Sequence, residues 1–137
     1  MPHLALRTRL AHLLPVLLAL PLAACQPPQE DATPNVVLAW AILPAPATAG
    51  QPSTFTFELT DRETGEPVAG AAAELEANMS HPGMEPVLAT AAEVAPGKYE
   101  APLTFSMGGD WFVLVEAALP DGRTLHRQVD VPGVRAP

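Results

Sequence analysis

From position 36 onward, apolar and polar residues alternate in short runs broken by turn residues every 8–12 positions, and no stretch keeps a clean 3.6-residue repeat. Such a pattern predicts strands rather than helices. The runs fall at about 36–42, 53–60, 72–79, 87–94, 98–106, 110–119 and 124–131. In the second, Phe55, Phe57 and Leu59 share one face and Thr54, Thr56 and Glu58 the other. In the fifth, Tyr99, Ala101, Leu103 and Phe105 oppose Lys98, Glu100, Thr104 and Ser106. A strand's period of two sets one group toward a core and the other toward water.

Turn chemistry separates the runs. Arg62 to Pro67, Pro96-Gly97, Gly108-Gly109 and Pro120-Asp121-Gly122 each combine residues that fix or permit turn dihedrals. The stretch 71–77 is rich in Ala and Glu and by local propensity favours helix. It is nonetheless expected to be a strand, because Glu74, Glu76 and Asn78 alternate with Ala73, Leu75, Ala77 and Met79. Seven strands over 36–134 imply one all-β domain, an immunoglobulin-like β-sandwich of about seven antiparallel strands.

The first 35 residues read differently. Arg7 and Arg9 precede an apolar run from Leu10 to Leu22 that is interrupted by Pro15 and Pro21. That run falls short of the ~20 residues that span a bilayer, and it is expected to be a cleaved export signal, residues 1–24. It ends in Leu22-Ala23-Ala24-Cys25, which resembles the bacterial lipoprotein signal. The resemblance implies lipid on the Cys25 thiol, with cleavage just before it and anchoring to the outer face of a bacterial membrane. Residues 26–35 hold no aliphatic side chain larger than Ala, so 25–35 is expected to be a lipidated Cys with a flexible tether.

Charge narrows the partners. Seven Lys and Arg stand against 15 Asp and Glu. Two of the basic residues lie in the acid-free first 24, so the remainder is strongly acidic. Nucleic acid and anionic lipid headgroups are poor partners for such a surface. Cys25 is the only cysteine, so no intrachain disulfide can form. No phosphate loop, Gly-x-Ser-x-Gly elbow or His-Glu-x-x-His occurs, and the carboxylates are scattered singly, so no enzymatic activity is expected.

The candidate chemistry lies in soft ligands. Beyond the signal segment the three methionines fall in two short stretches, Asn78-Met79-Ser80-His81-Pro82-Gly83-Met84 and Ser106-Met107-Gly108-Gly109-Asp110-Trp111. Thioethers suit Cu(I) and imidazole suits copper in either oxidation state, whereas zinc and calcium sites favour thiolates or carboxylates. Pro82-Gly83 fit the centre of a type II turn, which would bring the Cα atoms of His81 and Met84 within ~7 Å. Strands running alternately up and down place both stretches at one end of the sandwich and His126 at the other. The candidate ligands are therefore Met79, His81, Met84 and Met107, with Trp111 either shielding the site or packed in the core.

Met-x-His-x-Gly-Met, then Gly97-Lys98-Tyr99, then Met107-Gly108-Gly109-x-Trp111, all within about 73–131, resemble the YtkA-like domain. That group is related to the FixH-like domains and more loosely to the CopC-like copper-binding sandwiches. The resemblance implies an exported immunoglobulin-like module of a group in which some members are connected with copper handling or oxidase assembly. Together with the Met/His loops, the expected function is Cu(I) binding, or its delivery to a copper-accepting protein. No His begins the chain after Cys25, a departure from the CopC pattern that points away from a tight Cu(II) site.

Two further readings come from the same residues. Met79 is in phase with Leu75 and Ala77, and Met107 with Leu103 and Phe105, so either could be a core filler, a common use of Met. The same loops could also bind another protein without metal, which makes a protein-interaction module of the cell envelope the alternative function.

Overall fold

The computed structural model describes residues 33–81 and 83–137. The expected signal peptide, Cys25 and the tether up to residue 32 lie outside them, as does Pro82. Among the described residues the chain forms eight strands: β1 (Val36–Leu43), β2 (Ser53–Asp61), β3 (Ala72–Met79), β4 (Val87–Thr90), β5 (Ala92–Ala95), β6 (Lys98–Leu103), β7 (Gly109–Ala118) and β8 (Thr124–Val134). They make two four-stranded antiparallel sheets, in the orders β1-β2-β6-β5 and β4-β3-β7-β8. This is the ABED and C′CFG arrangement of an immunoglobulin-like sandwich.

The inward faces are those given by the alternation. Phe55, Phe57 and Leu59 of β2 and Tyr99, Ala101 and Leu103 of β6 are buried from one sheet. Leu75, Ala77, Val113, Val115 and Leu125 meet them from the other. Aromatic rings knit the first sheet, with Phe57 stacked on Tyr99 at 5.1 Å and Trp40 on Phe55 at 5.6 Å between centroids. β3 confirms that tertiary pairing outweighs local helix propensity. It lies between β4 and β7, with Ala73, Leu75 and Ala77 inside.

The expected single strand at 87–94 is two. Ala91 still donates its N–H to Ala73 O (2.9 Å) beside β3, and the chain then crosses to the other sheet, where Ala92 pairs with Glu100 of β6. A strand cannot hydrogen-bond along both sheets of a sandwich at once, so the ladder divides where the chain changes layer. The strand expected at 98–106 stops at Leu103. Phe105 remains fully buried, but Met107 is 49% exposed and is not the core filler its phase suggested. The phase argument lapses because the extended backbone ends before Met107.

After β1 the chain also changes layer. Thr48 bridges in parallel to Arg135, with Arg135 N–H donating to Ala47 O (2.8 Å) and Ala49 N–H to Arg135 O (2.9 Å). The segment 47–49 thus closes against the end of β8.

Candidate metal centre

The register of β3 and β7 decides which loops share an end. Ala77 faces Val113 and Met79 faces Trp111, so the last residue of β3 and the first residues of β7 lie side by side. The β3–β4 connection, residues 80–86, and the β6–β7 connection, residues 104–108, therefore rise from the same end of the sandwich. All four candidate ligands sit there. His126 is close to the other end, two pairs from Ala118↔Thr124, with Nδ1 3.5 Å from Glu116 Oε2.

Each candidate has a distinct environment. Met79 is half-buried and packs against the core. Its Cε lies so near Gly109 that a Cβ added there would stand 2.9 Å from it. Gly109 has φ +130°, so a side chain at that position meets both backbone strain and the methionine. Gly108 is equally confined, because a Cβ there would lie 2.6 Å from the Ala136 backbone nitrogen. The two glycines of the Met-Gly-Gly-x-Trp motif thus let Met79 approach on one side and the C-terminal segment on the other.

Met107 presents its side chain to solvent while its backbone is fixed. Trp111 Nε1 donates to Met107 O at 3.0 Å. Trp111 is only 2% exposed and meets Phe105 edge to face at 5.1 Å, so it belongs to the core and holds the loop from below. His81 is exposed and Met84 half-buried. Gly83 has φ +87°, the value that the third position of a type II turn demands, and Pro82, the turn's other central residue, lies outside the described residues.

Among the described residues no three His, Cys, Asp or Glu side chains come together in a metal-binding group. The candidate donors at this end are three thioethers and the His81 imidazole, with the carboxylates of Glu85 and Asp110 in the neighbouring positions; thioether softness suits Cu(I).

Gly97-Lys98-Tyr99 has a different office. A Cβ on Gly97, whose φ is +74°, would stand 2.6 Å from Pro67 Cβ and 3.0 Å from Leu59 O. The Tyr99 phenol donates to Val68 O (2.8 Å) and accepts from Ala71 N–H (3.0 Å). Glu93 accepts the N–H groups of Gly97 (3.0 Å) and Gly70 (3.0 Å). Together they pin the β2–β3 connection onto the first sheet. Sequence reasoning missed two participants near the candidate centre: the C-terminal segment behind Gly108, and Asp110, whose Oδ1 accepts Gly133 N–H at 2.9 Å. Only the paired Gly108-Gly109 hinted at such close approach.

These features define an immunoglobulin-type sandwich with two methionine-bearing loops at one end. Residues 32–116 match the family model described as YtkA-like, and the chain belongs to that family. The matched span includes Met79, His81, Met84, Met107 and Trp111 and stops before β8. No curated protein gives a significant match. Among solved structures, the cohesin module from Clostridium perfringens ATCC13124 family 33 glycoside hydrolase is similar at 12% identity, covering 75% of this chain and 97% of that one with a TM-score of 0.42.

Proposed function

We propose that this protein binds Cu(I) through Met79, His81, Met84 and Met107 outside the cytoplasm, tethered to a membrane by lipid on Cys25, and passes it to a copper-accepting protein. The observation that carries the reading is the pairing of Met79 with Trp111, which brings both methionine-bearing segments to one end of the fold. The exposure of Met107 supports it, since a thioether kept out of the core is available to a ligand. Thioethers do not titrate in water and an imidazole must be neutral to bind a metal, so acid weakens such a site by no more than one proton's worth.

Titrating the protein with Cu(I) against a competing chelator tests the reading. Saturable binding of one Cu(I), with Zn(II) bound far more weakly, is the expected result, and tighter Zn(II) than Cu(I) binding would overturn it. The anchor is tested separately. Cys25→Ser leaves an unlipidated chain that no longer partitions into detergent with membranes, and unchanged partitioning would remove the lipid from the proposal.

A further inference from the structure

An apolar groove runs over the outer face of the β4-β3-β7-β8 sheet. The register sets Leu88, Glu76, Leu114 and Gln128 side by side in one row, and Thr90, Glu74, Glu116 and His126 in the next. Leu88 is 71% exposed and Leu114 38%, and half-buried Phe112 continues the apolar surface along β7. The groove holds about 550 Å³, with Glu74, Glu76 and Glu116 along it. An exposed apolar patch with a polar rim marks a surface that another molecule covers.

Charge selects what covers it. On the outer face of the other sheet Glu58 is paired with Lys98 at 2.8 Å, and in the β7–β8 turn Asp121 is paired with Arg123 at 2.7 Å. Among the described residues the carboxylates of the groove have no Lys or Arg partner. Glu74 accepts from Thr90 Oγ1 (2.8 Å), Glu76 from Asn78 Nδ2 (3.0 Å) and Asp130 from Gln128 Nε2 (3.3 Å), all neutral donors. Glu116 lies 3.5 Å from His126 Nδ1, which is a cation only when protonated. Arg127, the only Arg of β8, reaches instead to the opposite sheet, its Nη2 donating to Thr33 O (2.9 Å) and Val36 O (3.1 Å). Glu74 and Glu116 also stand directly opposite each other across β3 and β7, where like charges destabilise a sheet. A cation laid between them relieves that repulsion, while the leucines need an apolar cover.

We infer that this groove binds a cationic amphipathic helix of a partner protein, its Lys or Arg over Glu74, Glu76 and Glu116 and its apolar side chains on Leu88, Leu114 and Phe112. Leu88 and Leu114 are two strand spacings apart, roughly 9.5 Å, with Glu76 between them. Apolar residues at i and i+7 of a helix stand about 10.5 Å apart, and a cation at i+3 or i+4 falls between them. A second copy of this chain, at net charge −8, does not supply that charge. A purely polar polycation leaves the leucines in water. The row Asn78, Phe112, Asp130 borders the Met79↔Trp111 pair, so the bound helix reaches the end of the sandwich that carries the methionine loops, although its binding needs no metal there.

The full chain carrying Cys25→Ser, titrated into a fluorescein-labelled Ala-based helical peptide with Leu at i and i+7 and Lys at i+3 and i+4, tests the inference by anisotropy. Saturable binding that weakens with added salt is expected. A peptide of the same charge with Ser in place of Leu should bind about tenfold more weakly. Glu116→Lys should weaken binding of the Leu peptide on the order of tenfold, whereas Glu100→Lys, the same charge change on the outer face of β6, leaves it unchanged. Leu88→Ser, at an exposed position, should weaken it severalfold. Because Glu116→Lys removes the repulsion with Glu74, it should raise the urea unfolding midpoint of the free chain, which a variant that loses binding through damage to the fold would not do. Equal losses in Glu116→Lys and Glu100→Lys would overturn the inference, leaving only attraction by net charge. So would equal binding of the two peptides, or a Glu116→Lys midpoint that falls with its affinity. A free chain that sediments as a dimer, and as a monomer after Leu88→Ser, would give the groove to a second copy and overturn it too.

Discussion

The indole of Trp111 reaches up from the core to bond the backbone of Met107, its Nε1 lying 3.0 Å from the methionine carbonyl oxygen. A buried side chain thus fixes the loop that carries an exposed thioether, and rigidity at Met107 comes from a residue that need not touch a metal. Trp111→Phe keeps most of the packing against Phe105 and removes the donor. It is expected to lower stability by about 1–3 kcal/mol through the lost bond and lost volume. Cu(I) affinity should fall severalfold at a temperature where the variant is still folded. Thermal unfolding followed by circular dichroism, with chelator competition, measures both, and unchanged affinity would show that the loop needs no such support.

Met107→Leu separates ligand from packing. Because Met107 is 49% exposed, the change should move stability by no more than about 0.5 kcal/mol. Loss of a coordinating sulfur should cost roughly tenfold in Cu(I) affinity for each ~1.4 kcal/mol of coordination. Met84→Leu is expected to behave in the same way. A Met107→Leu protein with the parent's affinity would confine the site to the 79–84 loop.

Two glycines of positive φ make a contrast in stability. Gly97→Ala adds a Cβ 2.6 Å from Pro67 Cβ, whereas Gly122→Ala, at φ +87°, meets nothing within 4 Å. The second should cost about 1 kcal/mol of left-handed strain. The first adds overpacking of ~1–3 kcal/mol, and urea unfolding midpoints should order the variants accordingly. Equal midpoints would mean that the β2–β3 connection yields to the added atom.

Asp61 gives an acid-side prediction. Its Oδ1 accepts the backbone N–H groups of Thr64 and Glu63, each at 2.9 Å, and these hydrogen bonds to the charged form lower its pKa from the ordinary carboxylate value. A lowered folded pKa contributes stability that is present above the unfolded value of about 3.9 and is lost as pH falls through the folded value. Asp61→Asn keeps an acceptor and cannot titrate there. The unfolding midpoint of the variant should lie below the parent's at pH 7 and decline less below about pH 4, so that the two converge in acid. Parallel declines would place the acid sensitivity in other groups.

Much of this was legible in the sequence. The two-residue alternation fixed which side chains of β2, β3, β6 and β7 face inward, because a strand's pleat leaves no other choice once one face must leave water. Turn residues marked most boundaries, and the motifs Met-x-His-x-Gly-Met and Met-Gly-Gly-x-Trp named the family and the four candidate donors. The shared end of those donors followed from up-and-down strand order alone, and the Met79↔Trp111 register agrees with it.

Tertiary structure decided what depends on neighbours distant in sequence. No turn residue interrupts 87–94, yet the chain changes sheet at Ala91, because the divergence of the two layers sets where a ladder must end. Met107 was in phase with Leu103 and Phe105, but periodicity holds only while the backbone stays extended, and it turns away after Leu103. Trp111 had a core and a shielding reading, and the ring of Phe105 beneath it gave it to the core. Gly97 and Gly108 looked like ordinary turn residues. They are needed because Pro67 and Ala136, 30 and 28 positions away, pack where a side chain would stand, and close approach between remote segments leaves no mark in a local pattern.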